Sequence, residues 1–191
     1  METIEGINLL LGLFEKAGQI LFPRKIMTAK SSGQITVYSK EEMLQKFENA
    51  DFIDCRVNAY PLVLKDILQI PNIILIDIDI NRSLKTGRKR VEVHLSKTLQ
   101  KIGEHTCDSI IPLVLWTGNG YHVIVILNIL EPLEHIEEYT SISSSCAQLS
   151  REFMLFAKMY LSENRADPKN SPSFESCLLR ALNTLNSKCP G

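Results

Sequence analysis

Two aspartates close an apolar run in "NIILIDIDINRS", residues 72–83, with only Ile78 between Asp77 and Asp79. Residues two apart on a β-strand share a face, so Leu75, Asp77 and Asp79 point one way and Ile74, Ile76 and Ile78 the other. Strand rise sets the two carboxylates about 7 Å apart. Negative charges so close repel and raise each other's pKa. A divalent cation between them removes that cost, and hard oxygen ligands suit magnesium or manganese. The alternative is an early strand end, with both acids solvated or paired with Arg or Lys. The apolar residues Ile73 to Ile76 lead straight into the pair and Ile80 continues the pattern, which favours a metal.

A second pattern stands in "WTGNGYH". Gly118, Asn119 and Gly120 tolerate positive φ and allow a tight turn. His122 opens the next strand and shares a face with Ile124 and Ile126. A histidine on a sheet beside two carboxylates can contact a triphosphate or transfer a proton; otherwise it is a satisfied residue at a hairpin end. His94, His105 and His135 fall in predicted helices or at their edges and read as surface residues.

The elements that must position these groups follow from periodicity. Ile4, Ile7, Leu10, Leu11 and Phe14 have helical spacing. "LFPRKIMT" and "QITVYS" read as strands around the turn "AKSSG". "SKEEMLQKF" begins with a capping serine and reads as a helix, and "DFIDCRVNAYP" alternates like a strand ending at Pro61. A central strand covers about 73–80, and a basic loop leads into a helix that runs to about Gly103. "IPLVLWT" and "YHVIVIL" form a hairpin through "GNG". A long helix runs from near Ser144 to Leu161, and the rest is loop, short strand, loop. This order predicts an α+β fold: an antiparallel, RNA-recognition-like or ferredoxin-like core over 66–191, with a smaller α/β module over 1–65 beside it.

The chain has 191 residues, 45% apolar and 23% charged, with net charge −1. That suits one domain with a real core and excludes the global basic field of many nucleic-acid binders. Cys55, Cys107, Cys146, Cys177 and Cys189 form no C-x-x-C pair, so no structural zinc is expected. No signal peptide precedes them, and the apolar runs are too short to span a bilayer. A reducing, cytoplasmic setting is expected. The ending "NSKCPG" suggests a piece of a longer protein.

Taken together, Asp77-Ile78-Asp79 followed by Gly120-Tyr121-His122 resembles the archaeo-eukaryotic primase superfamily, over about residues 20–190. That family has a D-x-D or D-x-E strand, a hairpin bearing S-x-H or G-x-H, then a third carboxylate. The resemblance assigns the third acid to Asp167; on chemistry alone Asp54, Asp66 and Asp108 compete. The nearest flavour is the small primase–polymerases of archaeal plasmids and viruses, where R…N-x-K follows the third acid; Arg180, Asn186 and Lys188 match. Gly120 replaces the serine of S-x-H. Ala181 to Leu185 stand where related sequences often place Pro-Gly, and the cysteine-rich zinc module of many primases has no match here.

The resemblance implies a DNA primase or DNA-directed polymerase, a nucleotidyltransferase that uses NTP or dNTP and a single-stranded DNA template. Asp77, Asp79 and Asp167 would hold two magnesium or manganese ions. His122, Gly120, Arg180, Asn186 and Lys188 would bind the nucleotide. Arg24, Lys25 and Arg56 in predicted strands, with Arg82 and Arg88 in "NRSLKTGRKR", are candidates for phosphate or nucleic-acid contact; a solvated basic loop balanced by Glu92 and Glu104 is the other option. Trp116 and Tyr121 could stack on a base or be buried. A helicase or helix-bundle domain downstream fits the same resemblance. Two other classes compete. A metal-dependent nuclease or nicking enzyme also uses clustered carboxylates, but the His-hydrophobe-His pair of nicking enzymes is missing. A non-catalytic RNA-recognition module stacks bases on sheet aromatics, where this chain has aspartates.

Overall fold

Ile7, Leu10, Leu11 and Phe14 recur at helical spacing and form the buried stripe of α1 (Thr3–Lys16). The computed structural model describes residues 3–62, 69–79, 87–106, 109–127, 143–168 and 171–189, with 143–147 as backbone. β1 (Arg24–Met27) and β2 (Ile35–Val37) pair antiparallel across the expected turn. Ser39 caps α2 (Lys40–Glu48): its hydroxyl accepts the Glu42 N–H at 3.1 Å, while the Glu42 carboxylate accepts the Tyr38 N–H at 2.8 Å. Satisfying these otherwise orphaned donors fixes where the helix starts.

β3 (Arg56–Pro61) is shorter than the alternation predicts. Asp51, Phe52 and Asp54 have φ of 52–53°, left-handed backbone that cannot join a ladder, so the strand begins only at Arg56. β3 pairs with β1, and on its other side with the last strand, β7 (Leu178–Arg180), giving the order β2-β1-β3-β7. The sheet begun by the N-terminal elements is thus completed by residues near the end of the chain.

The second sheet holds β4 (Ile73–Asp79), β5 (Leu113–Trp116) and β6 (Gly120–Ile126) in the order β4-β6-β5. β4 and β5 run parallel with β6 antiparallel between them. With α3 (Gly87–Thr106) between β4 and β5 and α4 (Ser143–Leu161) after β6, the connectivity is a split βαβ. The fold is therefore α+β, with antiparallel sheets as expected. Ile74, Ile76, Ile78, Val123 and Val125 are buried on one sheet face, in one core with Val91 and Ile102 of α3 and Met154 and Ala157 of α4. Each such buried aliphatic side chain contributes about 1.5–3 kcal/mol.

The sheets are tied together by Tyr60, whose hydroxyl donates to the Ile73 carbonyl at 2.6 Å and accepts the Ile73 N–H at 3.1 Å. Among the described residues no helix is long and apolar enough to cross a membrane.

Candidate metal centre

The β4–β6 register sets Asp77 opposite His122 and Asp79 opposite Gly120. Period two puts Asp77, Asp79 and His122 on the face turned away from the Ile74–Ile76–Ile78 core. Asp167 reaches the same place from the loop after α4. Glu163 and Asn164 turn the chain with φ of 51° and 61°. The Ser162 hydroxyl accepts the Ala166 N–H at 3.1 Å, and the Asp167 N–H then donates to the Asp77 carbonyl at 2.8 Å. One carboxylate oxygen from each of Asp77, Asp79 and Asp167 lies within 4.8 Å of the others. Asp54 does not join them: it pairs with Arg180 at 3.4 Å and accepts the Ser187 N–H at 3.3 Å. Asp66 and Asp108 lie outside the described residues.

The three acids could together hold a cation. Burial raises the Asp79 pKa, and Asp77 and Asp167 raise it further; a hydrogen bond from Asn119 and the nearby His122 act the other way. Three carboxylates held this close are destabilised by one another unless positive charge joins them. All three offer hard oxygen donors, so the set fits magnesium or manganese better than a soft metal.

His122 is 8% exposed. Its Nε2 lies 3.7 Å from Asp77 Oδ1, and its Nδ1 is buried with no hydrogen-bond partner among the described residues. Burial, then the charge of Arg180, push its pKa down to about 4, with Asp79 opposing and Arg56 adding. The imidazole is therefore neutral near pH 7.

Gly120 has a steric reason. A Cβ there would stand 2.0 Å from the Ile78 carbonyl oxygen and 2.9 Å from Asp79 Cα. The serine of S-x-H has no room at this position. At Gly118, with φ of 86°, an added Cβ would stand 3.3 Å from both Asn186 and Cys189.

The first sheet brings the cations. Arg56 and Arg180 are directly opposite on β3 and β7, two like charges on one face. Arg180 is nearly buried; its Nη1 also donates to the Leu185 carbonyl at 3.2 Å, and burial and Arg56 lower its pKa. Asn186 donates from Nδ2 to the Thr117 carbonyl at 2.7 Å and accepts the Lys188 N–H at 3.1 Å, which holds the C-terminal loop to the hairpin. Lys188 is exposed at the end of that loop.

Arg24 requires a correction. It is fully buried, with its guanidinium 3.8 Å over the Phe14 ring. It donates to the carbonyls of Leu21, Ile20 and Asn58 and to Gln19 Oε1. Burial lowers its pKa to about 9. It staples the chain entering β1 and is closed to any template. Lys25 sits 3.6 Å from Glu175. Arg88 lies 5.8 Å over the Trp116 ring and 3.7 Å from Glu92. By register, Trp116 and Tyr121 share the Ile78 face, opposite the acids. Arg82 lies outside the described residues.

Two site residues escaped the sequence pattern. Lys158 of α4 is fully buried, and its Nζ donates to the Asp167 carbonyl at 2.5 Å. Burial lowers its pKa, while Asp167 and Asp77 raise it. The available signal was a lysine on the stripe of Met154, Ala157 and Leu161. Asn119, taken only as a turn former, is the hydrogen-bond partner of Asp79.

Compared with family models, curated proteins and solved structures, the chain matches none of them.

Proposed function

We propose that the chain is the catalytic domain of a primase–polymerase, a cytoplasmic enzyme that joins NTP or dNTP to a 3′-hydroxyl along a single-stranded DNA template. One observation carries this reading: two carboxylates of β4 and a third from the distant loop after α4 bring oxygens within 4.8 Å of one another, with a buried histidine directly across the ladder from one of them. The buried free thiols of Cys55 and Cys177 accord with a reducing compartment.

Asp77, Asp79 and Asp167 are the residues to hold magnesium or manganese. Bound there, the ions would lower the pKa of the attacking hydroxyl and offset the charge of the departing pyrophosphate. The chain's own groups do the positioning, which dominates phosphoryl transfer. Arg180 presents a planar fork to phosphate oxygens, with Arg56 beside it. His122, being neutral, contributes a hydrogen bond rather than a charge. Gly120 keeps the strand end beside Asp79 bare of side chain. Asn186 positions the loop from which Lys188 extends as a point charge.

The test is primer extension on a single-stranded template with manganese or magnesium and labelled NTP or dNTP. Asp77→Asn with Asp79→Asn should cut incorporation by about 10³-fold or more with an unchanged circular dichroism spectrum. Wild-type incorporation by the double variant would refute the assignment. Strand cleavage without nucleotide would transfer the site to a nuclease.

A further inference from the structure

A groove of about 470 Å³ lies along α3, lined by Lys89, Arg90, Val93, His94, Lys97 and Arg165. At 3.6 residues per turn, Lys89, Val93 and Lys97 form one row and Arg90 and His94 the adjacent one. Arg165 joins them from the loop after α4. The cations converge on His94: beyond burial, Arg165, Arg90 and Lys97 each lower its pKa. Among the described residues one acid answers them by direct pairing, Glu163 on Arg165, while Glu92 is engaged with Arg88. Arg88 lies half a turn round the helix from Lys97, so the run "GRKR" is split between two surfaces. Apart from His94 and from Val93, which is 53% exposed, the lining is cationic. Small-molecule pockets are mostly apolar with a few polar groups; this composition suits a chain of phosphates instead.

One loop links the groove to the acids, although α3 packs on the sheet face turned away from them. Arg165 is two residues from Asp167, a reach of about 7 Å at most, and Asp167 is hydrogen-bonded to Asp77. We propose that this groove binds the phosphodiester backbone of the single-stranded template and delivers it to the acidic site; the proposal rests on the polymerase reading above. Lys89, Arg90, Lys97 and Arg165 carry the phosphate contacts and Val93 the apolar floor. An unpaired strand fits because a template must expose its base edges where synthesis occurs.

The experiment is fluorescence anisotropy of a labelled oligothymidylate, without metal or nucleotide, across a salt series. Four phosphate contacts give a slope of log K against log salt of about −3 for single strands. Replacing Lys89, Arg90 and Lys97 together by alanine should weaken binding by about tenfold or more and flatten the slope by about 2. Unchanged affinity and slope in the triple variant would overturn the groove while leaving the acidic site standing. Binding of heparin without binding of oligonucleotide would overturn it too. If the triple variant loses DNA but wild type makes no primer with either metal, the groove is supported and the polymerase reading fails.

Discussion

Asp79 shares its corner of the sheet with two other carboxylates, those of Asp77 and Asp167. Its pKa stands above the ordinary aspartate value because of burial, Asp77 and Asp167. Between the unfolded value and the raised folded one, the folded protein binds more protons than the unfolded chain. Asp79's own contribution to the stability of the metal-free protein therefore falls as pH rises through that interval and stays lower above it, while His122 and Asp54, whose pKa values are lowered in the fold, contribute in the opposite direction. Asp79→Asn removes the penalty. We expect the metal-free variant to melt slightly higher at neutral pH, by no more than about 2 °C, since water screens the exposed side of the carboxyl. With manganese at about 100 times its Kd, wild type should gain about 2.7 kcal/mol and the variant much less. Scanning fluorimetry across pH, with and without metal, checks both halves. Asp77, Asp79 and His122 were readable because period two fixes a face. Lys158 was not, because a lysine among apolar helix positions reads as a flaw in the stripe until its partner, the Asp167 carbonyl, is known. Arg24 was misjudged although it alternates with buried Ile26: an arginine there reads as a phosphate ligand until its carbonyl partners at Ile20, Leu21 and Asn58 are known.

At the level of elements, the site depends on how closely β6 lies on β4. Gly120 permits that contact, since any Cβ would overlap the Ile78 carbonyl at 2.0 Å. Gly120→Ala should cost about 3 kcal/mol or more, beyond the range of ordinary substitutions. Urea unfolding measures this, and wild-type stability in the variant would contradict the close approach. The hairpin, α2 and β4 were legible because local signals decide them: glycines with asparagine, a serine cap, an unbroken apolar run. The turn at Asp51 to Asp54 was hidden, since left-handed aspartates and a phenylalanine leave no mark in an alternating sequence. The pairing of β7 with β3 was equally hidden. A three-residue strand carries too little pattern to name its partner, and only tertiary contact selects it.

Across the whole molecule, the two sheets act as a unit. Tyr60 spans them through both Ile73 backbone groups. Tyr60→Phe leaves a buried donor and acceptor unpaired and should cost about 1–3 kcal/mol, read from the denaturation midpoint. A smaller loss would show that water or a shift of β4 replaces the hydroxyl. The α+β class was legible from element order; the closing of the first sheet by the chain's far end was not. That closure has a bearing on how the protein can be dissected. The carboxylates ride on one sheet and the guanidiniums on the other, and the last strand to arrive supplies Arg180. Each half of the polypeptide, prepared separately, holds only part of each pole: Asp77, Asp79 and Arg56 in the first, Asp167 and Arg180 in the second. Any turnover detected in solution would therefore report that the final stretch of chain has come home.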